Sequence, residues 1–179
     1  MSKFHAAVVV CALGACATHT PSPQQTYSLE QKAAAALSEM ISRDPGLPAV
    51  LSAAEAYAVF PDVGAAGAIV GGAFGKGILY ERGRPMGYVE VKQGSIGLSL
   101  GGQTYSELIV LRNRADVDAL KAGAFKMGAG MSAVAIRTGA AAAGSFNGGT
   151  SVFVMPKGGL MADISVSGQT VAYRPLPAG

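Results

Sequence analysis

The stretch Ala56 to Gly77, AYAVFPDVGAAGAIVGGAFGKG, constrains the fold more than any other part of this chain. Its apolar run is broken by glycine at Gly64, Gly67, Gly71, Gly72, Gly75 and Gly77. Glycines at that density let strands curve, accept positive φ, and let a second backbone or a ligand come close. No acid, base or thiol lies between Val63 and Gly75. The stretch therefore offers packing rather than reaction chemistry.

The residues beyond it keep a period of two. Tyr88-Val89-Glu90-Val91-Lys92 alternates, and Ile96, Leu98 and Leu100 alternate with Gly97, Ser99 and Gly101. Glycine and serine opposite large residues mark a face that something approaches closely. Leu108 to Leu111 reads as a strand buried more fully, and further strands are expected over Met131–Arg137, Ser151–Met155, Leu160–Val166 and Thr170–Arg174. Helical spacing appears ahead of the glycine stretch. Leu29, Ala33, Ala36, Leu37, Met40 and Ile41 share one face of a helix from Leu29 to Arg43, with Ser28 and Gln31 fitting a capping box and Asp44-Pro45-Gly46 as the stop. A shorter helix is expected over Pro48–Ala56. Asn113 can cap a third over Arg114–Ala122, with Val117 and Leu120 inward and Gly123 as its end. Half of the residues are hydrophobic and 14% are charged, enough for one domain with a large core. The expected fold is α+β and β-rich: a glycine-rich antiparallel sheet, as a sandwich or partly closed barrel, with N-terminal helices over 27–56, one internal helix, and the β-rich domain over 57–174.

Several phrases occur together in a fixed order. Tyr57-Ala58-Val59-Phe60-Pro61 is followed by Ala66-Gly67 and by Gly71-Gly72-Ala73-Phe74-Gly75-Lys76-Gly77-Ile78-Leu79-Tyr80. Then come Gly87-Tyr88, Ser95-Ile96-Gly97-Leu98, Gly101-Gly102-Gln103 and Gly158-Gly159-Leu160-Met161-Ala162-Asp163-Ile164-Ser165. This set resembles the bacterial branch of the SYLF domain family, over about Glu55 to Tyr173. The resemblance implies lipid or actin binding without catalysis, and in bacteria an envelope lipoprotein. Asp62 stands where the eukaryotic pattern has a lysine after Phe-Pro, and the chain has no tryptophan, so actin binding is not expected.

Met1 to Ala15 reads as a secretory signal peptide, with Lys3 and His5 in a short polar front and Ala6 to Leu13 as its apolar region, too short to span a bilayer. It ends in Leu13-Gly14-Ala15-Cys16, which resembles the lipobox of bacterial lipoproteins. That resemblance makes Cys16 the acylated first residue of the mature chain. Ala17 rather than aspartate after it favours the outer membrane, with the domain facing the periplasm. The alternative is an ordinary signal peptide with a chance cysteine. Residues 16–26, rich in Pro, Ser, Thr and Gln, read as a flexible tether. Cys11 and His5 lie in the leader, and His19 lies in the tether. A domain without His or Cys holds no Ser-His-Asp triad, no Cys-His pair and no usual zinc site. Carboxylate, lysine or tyrosine chemistry stays open.

The formal charge is +3, its cations are scattered, and aromatics are 7%, which argues against a nucleic-acid surface and against a transmembrane barrel with aromatic girdles. Gly71 to Gly77 lacks the spacing of a phosphate loop, and Gly128 to Ala133 has G-x-G-x-x-A without a following helix. No cofactor or metal is expected. Asp116 and Asp118 diverge on a helix. Glu81 and Glu90 flank the Arg82-Gly83-Arg84 turn and could face each other as a hydrolase pair. The best candidate for anionic headgroups is the set Lys76, Arg82 and Arg84, with Tyr80 and Tyr88 nearby; a solvated hairpin end is the alternative. Lys126, Arg137 and Lys157 are weaker candidates. The leading reading is a lipid-anchored, lipid-binding envelope protein. Behind it stand a structural lipoprotein that contacts another envelope component and a carboxylate-dependent hydrolase.

Overall fold

The computed structural model describes residues 23–67, 70–96, 101–128, 133–143, 149–158, 166 and 168–176. The signal segment, Cys16, Leu98, Leu100 and the expected strand from Leu160 through Ser165 lie outside the described residues. In chain order the elements are α1 (Pro23–Arg43), α2 (Leu47–Ser52), β1 (Ala56–Gly67), β2 (Val70–Glu81), β3 (Arg84–Ile96), β4 (Gly101–Leu111), α3 (Arg114–Lys121), β5 (Val134–Ala135), α4 (Ala140–Ala143), β6 (Thr150–Gly158) and β7 (Thr170–Pro175). The strands form a seven-stranded sheet of order β5-β6-β4-β1-β2-β3-β7, antiparallel except for the short parallel pair β5–β6. The α+β, β-rich class holds. The sheet stays open, and helices take the place that a second sheet would have in a sandwich.

Both faces of the central strands are apolar, which is why Leu108 to Leu111 reads as a continuous run rather than an alternation. Leu108 and Val110 pack under α1 with Val59, Ile78, Phe153 and Met155, while Ile109 and Leu111 join Phe60, Leu79, Val89 and Val154 on the other face. Burying each such side chain contributes about 1.5–3 kcal/mol, so the two layers share the hydrophobic driving force. The first face is closed by α1, whose Ala33, Ala36 and Met40 are buried. Small residues at two of those positions let the helix seat low on the strands. The second face is closed by α3 through Val117 and Leu120, both fully buried. Asn113 takes the N-cap position of α3 without a capping side-chain bond, and Gly123, at φ 71°, ends the helical run.

The first helix is longer than its spacing predicts. It starts at Pro23, so Ser28 lies inside it rather than at its cap, and the tether gives way to helix before residue 26. Proline in the first turn needs no hydrogen-bond partner for its nitrogen, which suits Pro23 to that start. Of the strand expected over Met131–Arg137, the described residues 133–137 form strand at Val134–Ala135, and Met131 and Ser132 lie outside the described residues. At the other end of α1, Asp44 is a fully enclosed carboxylate that ties α1 and α2 to α4. It accepts backbone N–H bonds from Gly46 (3.1 Å), Gly139 (3.3 Å) and Ala141 (2.5 Å). Burial alone would raise its pKa, but the three donors outweigh burial and lower it.

Proline inside β1 forces an irregularity. The register of β1 shifts between Val59 and Asp62 against β2, and between Phe60 and Val63 against β4. Pro61 cannot donate to a ladder, and a bulge is where a strand tolerates that loss. Its freed carbonyl accepts a buried bond from Ser106 Oγ at 2.7 Å. The bulge presses the Val59 carbonyl and the Phe60 ring against Gly77 so closely that no Cβ fits there. The glycine of β2 and the proline of β1 therefore answer one another across the ladder.

Candidate functional site

The β2–β3 hairpin closes with Glu81 opposite Arg84, leaving Arg82 and Gly83 as a two-residue loop at φ 49° and 77°. Positive φ at both positions is the turn whose twist matches the flanking strands. Arg82 is the sole non-glycine at positive φ among the described residues. Arg82 and Arg84 line a cleft of about 480 Å³ together with Glu55, Glu81, Met86 and Arg114. Glu81 is already engaged, by Lys121 at 2.5 Å and Arg114 at 3.7 Å. The cleft is of mixed charge.

The other members of the expected headgroup set lie elsewhere. Lys76 stands opposite Glu90 in the β2–β3 ladder, six residues up the strand from Arg82 and so roughly 20 Å away. Tyr80 and Tyr88 face α1 rather than solvent at the turn. Tyr88 is buried, and Tyr80 stacks on Tyr57 with ring centroids 5.2 Å apart. Burial first, then the neighbouring Tyr57 and Glu30, push the Tyr80 hydroxyl up to about 12. The pair Glu81 and Glu90 does not assemble either. Glu81 faces Arg84 and Glu90 faces Lys76, so the carboxylates sit at different levels of the sheet and the hydrolase geometry is lost. Asp116 accepts from Thr150 Oγ1 (3.1 Å) and Asp118 pairs with Arg114 (3.1 Å), both structural roles. Among the described residues no group of three or more His, Cys, Asp or Glu side chains could hold a metal ion.

Lys76 belongs to a different neighbourhood, in which charge stops abruptly along the strands. Asp62 pairs in register with Lys76, and Lys76 with Glu90. Lys157 reaches Asp62 at 2.8 Å, and Lys92 lies 3.9 Å from Glu90. Beyond this row no Lys, Arg, Asp, Glu or His occurs from Val63 to Gly75 or from Gln93 to Ser106. Register brings those two segments together: Gly64 pairs with Phe74 and with Thr104, Gly67 with Gly71 and with Gly101, and Val70 with Ile96. One end of the sheet is thus free of charge across four strands. Phe74 is 46% exposed there. Sequence reasoning marked Lys76 but missed Phe74 and Lys92; the two uncharged windows were readable, their adjacency was not.

A second unforeseen feature lies inside the α3 face. Glu107 is fully buried, its Oε2 receives a bond from Gln169 Nε2 at 3.3 Å, and its Oε1 has no partner. Desolvation outweighs the single side-chain bond and pushes its pKa up to about 8. Such a carboxyl is a proton-dependent element of the core rather than a surface ligand.

Residues 92–175 match the family described as Ysc84, a Las17-binding protein actin regulator. Over that span the chain is similar to the Ysc84 (SYLF) family. The matched span runs from the end of β3 through β7 and so supplies β4, α3, β6 and the buried Glu107. The phrases from Tyr57 to Tyr80 that resemble the family lie ahead of it, on β1 and β2 of the same sheet. SYLF domains are associated with lipid and actin binding and are generally binding modules without catalysis. No curated protein matches the chain.

Proposed function

We propose that this chain is a lipid-anchored envelope protein whose SYLF domain binds an anionic membrane surface without catalysis. The match over residues 92–175 carries the reading, because lipid association is the property that family brings. The lipobox-like Leu13-Gly14-Ala15-Cys16 supports the anchor, and Ala17 rather than aspartate after it supports an outer-membrane, periplasm-facing location. With Cys16 acylated, residues 17–22 span at most roughly 25 Å, which keeps the start of α1 close to the bilayer. Tethering makes the domain's own contact intramolecular, so weak headgroup affinity suffices. Lys76, Arg82 and Arg84 are exposed, and Lys76, apart from the turn, is the one of the three assigned to that contact.

Flotation with vesicles tests the reading on a chain starting at Ala17, without the acyl group. Binding to phosphatidylglycerol vesicles that falls with added salt is expected; no binding to any vesicle removes the lipid reading. Mass spectrometry of the amino-terminal peptide from the native host tests the anchor separately. An unmodified Cys16 removes it.

The mixed-charge cleft of Glu55, Glu81, Arg82, Arg84 and Arg114 favours a second use, contact with a polar protein component of the envelope. Crosslinking through an Arg84→Cys probe in the native host would recover such a component.

A further inference from the structure

The expected cations cannot all meet one flat bilayer, since Lys76 lies mid-strand on β2, roughly 20 Å from the Arg82–Arg84 turn. We infer that the contact surface is the α1-side face of the uncharged sheet end, centred on Phe74 and bordered by Lys76 and Lys92, and that it lies on anionic lipid. The inference rests on the lipid reading above and specifies where on the domain it acts.

Three observations converge on this face. Phe74 is an apolar ring left 46% exposed inside a sheet whose other strand phenylalanines, Phe60 and Phe153, are fully buried. Its row neighbours are Gly64 on β1 and Lys92 on β3. The lysines form the second observation. Lys76 and Lys92 share the face of Phe74, both exposed; Lys92 lies 3.9 Å from Glu90, and Lys76, in register with Glu90, has no ion pair within 4.0 Å among the described residues. Lys157 lies at the same level, paired with Asp62. An apolar ring with ammonium groups beside it complements a headgroup layer, where the ring reaches acyl carbon and the lysines reach phosphate. The third observation concerns what flanks the ring. A Cβ built at Gly64 or Gly94 meets nothing within 4 Å, so no internal contact requires glycine there, and neither has positive φ. Strand glycine costs about 0.5–1 kcal/mol relative to alanine, and a flat face that admits an outside surface gives that cost a reason.

The start of α1 lies on the same side. Leu29 lines a small apolar cavity with Lys76, Tyr88 and Arg174, and Tyr27, one half-turn earlier, is 65% exposed. The start of α1 and the Phe74 face thus lie on one side of the sheet.

The chain has no tryptophan, so a single introduced indole is a unique reporter. Phe74→Trp is placed at the proposed face and Met86→Trp at the opposite end, in the Ala17-start chain with phosphatidylglycerol vesicles brominated near the glycerol. Vesicle addition should shift the Phe74→Trp emission to shorter wavelength and quench it, leaving Met86→Trp unchanged. Lys76→Gln with Lys92→Gln should weaken flotation by roughly tenfold or more, with little change in melting temperature. Flotation with a silent Phe74→Trp and a quenched Met86→Trp overturns the inference and leaves the lipid reading standing. No flotation in any form defeats both. A Phe74→Trp shift that tracks protein concentration without vesicles, with a dimer in sedimentation, assigns the face to a second copy of the chain and overturns the inference.

Discussion

Gly77 and Gly64 are both strand glycines with ordinary backbone angles, one beside the bulge of β1 and one in the uncharged end of the same sheet. At Gly77 the Val59 carbonyl and the Phe60 ring already occupy the place of a side chain; at Gly64 a side chain would meet nothing. The same residue type serves two masters. In the packed half of the sheet glycine is demanded from within, by a neighbouring backbone. At Gly64 and Gly94, in the uncharged half, no internal contact demands it, and exposed Phe74 with its two lysines lies beside them.

The comparison breaks most visibly at the bulge. Gly77→Ala should destabilise the domain by about 3 kcal/mol, because a strand carbonyl has to move rather than a side-chain tip, and urea unfolding would read it. Near-native stability would mean the bulge relaxes freely and the packed half is not close-packed at all.

Glu107 gives the next largest effect and sharpens the contrast between a buried and an exposed polar group. Its folded pKa is raised to about 8 from an ordinary 4.5, so the fold favours the protonated carboxyl. Its contribution to stability is complete below pH 4.5 and is lost as pH rises towards about 8. Glu107→Gln keeps the neutral shape and should flatten that slope, leaving the variant more stable than the parent at pH 8 by more than about 1 kcal/mol. Parallel melting curves for the two proteins from pH 5 to pH 8 would show that Glu107 is charged in the fold.

The smallest effect completes the glycine pair. Gly64→Ala and Gly94→Ala should be neutral or stabilising by about 0.5 kcal/mol, since β-region alanine restricts the unfolded chain and meets open space. A loss larger than about 1 kcal/mol at either site would mean that the open end is internally packed after all.

Much of the fold was legible along the chain. The apolar spacing from Ala33 to Met40, the inward Val117 and Leu120, the Gly123 stop and the doubly buried Leu108–Leu111 run all follow from local periodicity, which burial enforces residue by residue. The start of α1 was misplaced because Ser28 with Gln31 imitates a cap inside a helix that Pro23 begins. The candidate site was legible only in part. Lys76, Arg82 and Arg84 are close in sequence, but a strand carries its residues apart at about 3.3 Å each, and the trio divides between the middle of β2 and the turn at its end.

By itself, the sequence determined composition and periodicity: an α+β chain, a leader resembling that of a lipoprotein, a domain without His or Cys, and two windows without charge. Tertiary structure decided which distant residues became neighbours. It set Pro61 against Gly77, enclosed Glu107, separated Glu81 from Glu90, and laid the window around Phe74 beside the one after Lys92. The physical reason is that strand pairing couples residues through register, and register depends on a bulge and on burial of both faces together, quantities that no single stretch of chain contains.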